Sequence, residues 1–243
     1  SIKEGITWGF NRLSIMDLSS KGNQPFAYKD CVLVCNGEIY NYPDLKIMLE
    51  KEYTFKSGSD CEILIPLYKK YGLEIMCKFL DAEFALVIYD NEKKEIMAAR
   101  DPMGIRPMFY GYSKVDGKIC FASEAKSLFS LCEDIMPFPP GHYYKEGKFI
   151  CYNDLSDPKI INNDDLDTIA IKLKTKLESA VKKRFMSDAP IGYLLSGGLD
   201  SSLVCAIASK LNDKPIRTFA IGMESDPIDL KYAKQVADYL GTE

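Results

Sequence analysis

Between Arg12 and Tyr152 short apolar runs alternate with clusters of turn-forming residues, a pattern that predicts strands more than long helices. Strands are expected at residues 32–35, 84–89, 96–100, 108–112 and 119–122, and again at 143–144 and 149–152. Asn91-Glu92-Lys93-Lys94 and Glu146-Gly147 fall between consecutive runs and supply hairpin turns, which implies antiparallel pairing. Two helices are inserted among these strands. The clearer one covers residues 60–71, where Ile63, Leu64, Leu67, Tyr68 and Tyr71 share one helical face and Asp60 stands at the N-cap position. The whole reads as a layered α+β domain over residues 1–153, with that helix packed on the sheet.

Residues 154–167 are rich in Asp and Asn, contain Pro158 and show no sustained period, so they read as a linker. A second domain, residues 168–243, follows it. Ile169, Leu173, Leu177, Val181 and Phe185 recur at four-residue spacing on a long helix. A strand over 191–195, a helix from Ser201, a strand over 216–221 and a helix over 229–240 come next, with Gly241 as C-cap. Strand, helix, strand in that order implies parallel strands joined by a right-handed crossover, the start of an α/β doubly wound sheet. Such a sheet normally holds more than two strands, so the domain is expected to continue past Glu243.

Composition narrows the classes. The 243 residues exceed the usual span of one hydrophobic core, and a 47% hydrophobic share excludes a disordered chain. A formal charge of -4, from 31 basic and 35 acidic residues mixed along the chain, leaves no basic stripe for a phosphate backbone, so no nucleic acid partner is expected. No apolar run approaches the roughly 20 residues that span a bilayer, and Ser1-Ile2-Lys3-Glu4-Gly5 carries no signal-peptide core; a cytoplasmic protein without a membrane partner is expected. The eight cysteines are scattered and read as reduced structural residues. Cys31 and Cys35 lie on one face of a strand, about 13 Å apart, and can neither bridge nor share zinc. With His142 as the single histidine, a zinc site lacks ligands.

The run Ser196-Gly197-Gly198-Leu199-Asp200-Ser201-Ser202 follows a strand and opens a helix, where free N–H groups and the helix dipole favour an anion. Gly197 and Gly198 let the backbone approach phosphate oxygens, Ser196, Ser201 and Ser202 add hydroxyls, and Asp200 offers a carboxylate for magnesium. The bland alternative is a tight turn whose glycines serve packing alone. Neither a Walker A loop nor a dinucleotide Gly-x-Gly-x-x-Gly is present. The seven positions together resemble the pyrophosphate loop of enzymes that cleave ATP between its α and β phosphates and transfer AMP to a carboxylate. That resemblance implies that Leu195 and Ile221 flank the adenosine, against a core-strand reading of both.

Arg12-Leu13-Ser14-Ile15, Asn36-Gly37-Glu38-Ile39-Tyr40-Asn41, Ser57-Gly58-Ser59-Asp60 and Arg100-Asp101-Pro102-Met103-Gly104-Ile105-Arg106-Pro107 occur in that order. Taken alone, the second of these reads as a turn after a buried strand. Together they resemble glutaminase domains of the N-terminal-nucleophile hydrolase class. A free glutamine needs a cation for its α-carboxylate, an anion for its α-ammonium and two donors where the amide oxygen becomes negative. The resemblance implies that Arg12 binds the carboxylate, Asp60 binds the ammonium, and the Asn36 side chain with the Gly37 N–H forms the oxyanion hole. Glu38 then contacts the amine, and Leu13, Ser14, Ile15 and Met16 line the pocket through backbone. Arg100 and Asp101 read as scaffold, an ion pair or a turn buttress.

A glutaminase domain followed by an AMP-forming loop is the order found in glutamine-hydrolysing asparagine synthetases, which this chain resembles. Glutamine, aspartate and ATP are the implied partners, ATP and magnesium the implied cofactors, and a homodimer the implied assembly. The implied reaction forms β-aspartyl-AMP, which ammonia from glutamine then converts to asparagine. The family's nucleophile is a cysteine at the mature N-terminus. Position 1 here is Ser1, ten residues before Arg12, so the chain is expected to be truncated ahead of its nucleophile and inactive as it stands. A serine nucleophile at Ser1, a β-lactam-forming synthetase with an inactive glutaminase domain, and a non-catalytic glutamine sensor or scaffold are the alternatives.

Overall fold

A computed structural model describes residues 2–3, 5–158, 160–223 and 228–243; Ser1 lies outside the described residues. The chain divides into two compact units, Ser1–Ile161 and Asn162–Glu243.

The first unit begins with a small antiparallel pair, β1 (Ile2–Lys3) and β2 (Ile6–Thr7). It continues with β3 (Phe26–Tyr28), β4 (Cys31–Ile39), α1 (Tyr42–Leu49), α2 (Leu64–Tyr71), α3 (Leu73–Phe79), β5 (Ala82–Asp90) and β6 (Glu95–Arg100). Then come β7 (Phe109–Ser113), β8 (Ile119–Ala122), β9 (Cys132–Pro137), β10 (His142–Lys145) and β11 (Lys148–Cys151). Six of these strands form one sheet in the order β11-β10-β6-β5-β4-β3, and three form another in the order β8-β7-β9. All described pairings in both sheets are antiparallel, and residues 91–94 and 146–147 make the expected tight turns. Glu146 and Gly147 have φ of 50° and 76°, as a two-residue hairpin turn of mirror type requires.

The alternation in β4 explains the packing. Cys31, Leu33, Cys35 and Ile39 are buried on one side, where α2 and the turn before it lie against the strand. Val32 and Val34 face the other side, in a core of Trp8, Ala85, Val87, Ala98, Met108, Phe138 and Tyr144. Tyr110 and Phe121 of the smaller sheet close that core, with Phe121 and Tyr144 rings 5.7 Å apart. β5 is buried from Phe84 to Ile88, which suits its unbroken apolar run at the sheet centre. Burying Leu64, Ile65 and Leu67 of α2 contributes roughly 1.5–3 kcal/mol per side chain.

Three sequence expectations change. Residues 36–39 continue β4 in register with β5, with Asn36 opposite Ala85, so they are strand and not a turn. The described residues of the first unit hold three α-helices where two were expected. Residues 60–63 form a 3-10 turn behind the N-cap Ser59, and Asp60 does not cap α2; its Oδ2 accepts the Ile39 N–H at 2.7 Å instead. A carboxylate buried to 3% exposure needs such a donor, and the β4 backbone supplies it.

The second unit holds α4 (Leu166–Lys183), β12 (Tyr193–Leu194), α5 (Leu199–Leu211), β13 (Thr218–Phe219) and α6 (Ile228–Leu240). β12 and β13 pair in parallel, Tyr193 with Thr218 and Leu194 with Phe219. Both strands are shorter than expected. α4 starts inside the expected linker because Asp165 caps it, accepting the Thr168 N–H at 2.9 Å. Of the expected apolar series on α4 only Val181 is buried, since the core of Leu195, Cys205, Ile207, Ala208, Ile216 and Ala233 meets only the helix end. No described helix is long and apolar enough to cross a membrane.

Candidate active site

β3 pairs with β4 only from Cys31 to Leu33, so the rest of that β4 edge meets side chains. Gln24 grips Cys35 twice, accepting its N–H at 2.6 Å and donating to its carbonyl at 2.9 Å. Two residues on, the Gly37 carbonyl accepts the Cys61 thiol at 3.5 Å. Two further on, the Ile39 N–H meets Asp60. Strand periodicity turns the Gly37 N–H toward the same edge, between the Gln24 and Asp60 contacts. Gly37 must be glycine: a Cβ there would lie 2.5 Å from the Glu83 carbonyl oxygen and 2.8 Å from the Phe84 Cβ. The neighbouring Asn36 and Glu38 side chains share the face of Val32 and Val34.

Asp60, Glu38, Glu83 and Arg106 form a partly buried charged cluster. Glu38 is opposite Glu83 across the strands, and Arg106 binds Glu83 at 2.6 Å. Burial, with Asp60 and Glu83 nearby, pushes the Glu38 carboxyl up to about 8, against the pull of Arg106. Burial also raises Asp60, although the Ile39 N–H pulls the other way. Two acids in one corner thus ionise less readily than ordinary carboxyls.

The raised Glu38 has a stability signature. A carboxyl that holds its proton more tightly when folded makes stability fall as pH rises from the ordinary 4.5 toward about 8. Thermal unfolding of Glu38→Gln and the parent should coincide below about 4.5, separate progressively between about 4.5 and about 8, and stay a constant distance apart above that, with the variant the more stable. A gap that does not widen with pH would contradict the buried acid.

The loop from Arg12 to Asn23 is shaped by Arg12 itself. One terminal nitrogen donates to the Ser19 carbonyl at 2.7 Å and Asn23 Oδ1 at 3.1 Å, and the other to the Met16 carbonyl at 2.8 Å and the Asp17 carbonyl. Both tips of the guanidinium fork thus serve the loop. Asp17 joins this loop to the next motif by accepting the Gly58 N–H at 2.8 Å. Glu62, buried, accepts the Lys56 and Ser57 N–H groups and the Tyr53 hydroxyl, and so fixes the turn that leads to Asp60. Sequence reasoning missed Gln24, Asp17 and Glu62, which carry no periodic signal. Leu13 is exposed, and Ser14, Ile15 and Met16 are half-buried beside it.

Arg100 and Asp101 are turn buttresses. Arg100 donates to the carbonyls of Arg106, Phe138 and Gly104, at 2.7, 2.7 and 2.8 Å. Asp101 accepts the N–H groups of Ile105, Arg106 and Phe84.

In the second unit the 196–202 loop leaves β12 and opens α5, with Gly198 as an N-cap that no side chain serves. Ser196 and Ser201 hydroxyls meet at 2.9 Å. Gly197 has φ +78°, and a Cβ there would lie 2.5 Å from the Ala233 nitrogen, so this glycine packs against α6. Gly198 meets only the Ser196 hydroxyl, at 3.4 Å, and leaves the helix mouth open. Ser202 Oγ is buried without a hydrogen-bond partner among the described residues, and Asp200 is exposed. The open helix mouth, an orphaned hydroxyl and one carboxylate fit a magnesium-bound polyphosphate, a species that needs few protein ligands of its own. The Leu195 side chain is in the core, 2% exposed, while Ile221 is 94% exposed. All eight cysteines are free thiols, and no cluster of three metal-ligating residues occurs among the described residues.

Two family models match the chain, the glutamine amidotransferase domain over residues 1–145 and asparagine synthase over residues 172–243. A glutamine-hydrolyzing asparagine synthetase of Zea mays is 42% identical over 245 residues, covering 95% of this chain and 41% of its own. A probable glutamine-hydrolyzing asparagine synthetase of Acanthamoeba polyphaga mimivirus is 39% identical over 260 residues, covering 97% of this chain and 47% of its own. The chain thus spans about two fifths of the length of the curated relatives it matches. The solved glutamine phosphoribosylpyrophosphate amidotransferase of B. subtilis matches 85% of this chain and 50% of its own, with a TM-score of 0.47 and 18% identity, too distant to carry an argument. The glutamine amidotransferase match takes in every residue of the β4 edge, and the asparagine synthase match takes in the whole 196–202 loop, so the chain belongs to the glutamine amidotransferase family and bears an asparagine synthase segment behind it.

Proposed function

We propose that the protein carrying this chain makes asparagine from aspartate, ATP and the amide nitrogen of glutamine. The observation that carries the reading is the β4 edge, where side chains serve the backbone on either side of Gly37 and its N–H points out between them. An N–H so placed, beside the Asn36 amide, suits an oxygen that gains charge as the glutamine amide is attacked. Asp60 and Glu38 give the α-ammonium its anionic partners. Arg12 offsets the α-carboxylate by its field while its fork holds the loop, and the Leu13-Ser14-Ile15-Met16 backbone lines that end. The layered N-terminal-nucleophile architecture over residues 1–153 and the synthetase segment over 168–243 belong to this reading.

In the second unit the α5 mouth holds the β and γ phosphates of ATP through the 196–202 backbone and hydroxyls. Asp200 would hold a magnesium ion there, which would supply positive charge against the phosphates. Ile221 borders the adenosine, and Leu195 supports the loop from the core. The aspartate side-chain carboxylate attacks the α phosphorus, its oxygen forming the new P–O bond as pyrophosphate leaves. Ammonia then attacks the β-carbonyl carbon, AMP departs with the former carboxylate oxygen, and the ammonium proton passes to solvent. Keeping water from the acyl-adenylate favours asparagine over hydrolysis. A homodimer in the cytoplasm, where eight thiols stay reduced, completes the proposal.

Aspartate labelled with heavy oxygen in its side-chain carboxylate tests the chemistry. Label should appear in AMP and not in pyrophosphate; label confined to inorganic phosphate would exclude adenylation.

A further inference from the structure

We propose that Gln24 is a positioning residue for the oxyanion hole, a role that rests on the glutaminase reading of the β4 edge. Three facts converge on it. Strand pairing stops at Phe26 opposite Leu33, leaving the next edge position of β4, Cys35, without a backbone neighbour from β3. The Gln24 amide takes over there, copying both hydrogen bonds of a strand with one side chain. It then ends, and among the described residues nothing covers the following edge N–H, that of Gly37. A continued β3 would have paired with Gly37 and consumed the donor.

A backbone edge with no strand beside it has only its other neighbour, β5, to hold it, and edge segments fluctuate most. Gln24 pins the peptide at Cys35 from one side, and Asp60 pins Ile39 from the other. Between these two anchors the Gly37 peptide cannot rotate without breaking a bond. Asp60 also belongs to the charged cluster with Glu38, Glu83 and Arg106, so its replacement would mix binding with positioning. Gln24 touches neither Glu38 nor Asp60 through any described bond, and its loss should act on the donor's aim alone.

A donor that acts on a developing oxyanion contributes to the transition state and little to ground-state binding. Misplacing it should therefore lower kcat and leave glutamine affinity in place. Gln24→Met keeps the length and removes both bonds; Gln24→Glu keeps the acceptor for the Cys35 N–H and sets an oxygen against the Cys35 carbonyl. Both would be made in the full-length protein, with glutamate release, glutamine Kd by calorimetry and ammonia-dependent asparagine formation measured on each. Glutamate kcat should fall about 10- to 100-fold, with Kd held within about twofold and ammonia-dependent synthesis unchanged. Unchanged kcat in either folded variant, or a loss of kcat matched by an equal weakening of Kd, would overturn the role. Should Gln24→Met fail to fold, Gln24→Glu decides, and if neither folds the role of Gln24 is structural and the proposal fails. A parent protein that releases no glutamate refutes the glutaminase reading itself, which separates that failure from this one.

Discussion

Replacing Gly37 with alanine should abolish glutamine hydrolysis, a fall in kcat of more than about 100-fold, while costing the first unit only about 1–3 kcal/mol of stability. The cause is steric. The added Cβ would stand 2.5 Å from the Glu83 carbonyl oxygen and 2.9 Å from the Phe84 Cα, both backbone atoms of the paired strand. Neither can swing aside as a side-chain tip can, so β4 must shift away from β5. That shift moves the Gly37 N–H and strains the Gln24 and Asp60 anchors on either side. The sheet itself tolerates it, because β5 stays paired along eight further positions of β4. Gly9→Ala is the control, since its Cβ meets nothing within 4 Å. Glutamate release and thermal unfolding on both variants check the claim; a Gly37→Ala protein that keeps parent activity would place the oxyanion elsewhere.

Asp200→Asn should stop pyrophosphate formation, by more than about 100-fold, and leave glutamate release within about twofold of the parent. Asp200 sits in the first turn of α5, exposed beside the open helix mouth, and is the loop's single carboxylate. The substitution preserves size and leaves the Ser196–Ser201 hydroxyl contact untouched. What it removes is the negative charge that, in the proposed mechanism, would draw magnesium to the phosphates. Pyrophosphate and glutamate measured on one preparation separate the outcomes: an equal loss of both would show that Asp200 acts on folding and not on phosphate.

Much of this was legible in the sequence because the relevant signals are local. The hairpin turn at Glu146-Gly147 needs two positive φ values, and Gly147 announces one of them. The strand–loop–helix order around residues 196–202 survives intact, since glycine at 197 is required by the approach of α6 as well as by its φ. What could not be read is long-range. Asp60 looks like a helix cap because capping is the commonest use of an acid ahead of an apolar period. Its partner is the Ile39 N–H, 21 positions away, which no periodicity records. The contacts of Gln24, and those Arg12 makes with its own loop, were obscure for the same reason: they are set by which carbonyls lie opposite after folding. α1 was within reach, for Tyr42, Leu45 and Leu49 share one buried face behind Pro43. Residues 36–39 misled because Asn and Gly favour turns, whereas here β5 pairing outweighs that preference.

In the proposed reaction one protein takes nitrogen from glutamine and hands it to an adenylated aspartate. The full-length protein should be given aspartate, ATP, magnesium and glutamine labelled with heavy nitrogen in its amide, in the presence of unlabelled ammonium. Heavy nitrogen should enter the asparagine amide, with AMP and pyrophosphate formed in equal amounts to asparagine. Asparagine carrying only unlabelled nitrogen, or label released without any AMP, would contradict it.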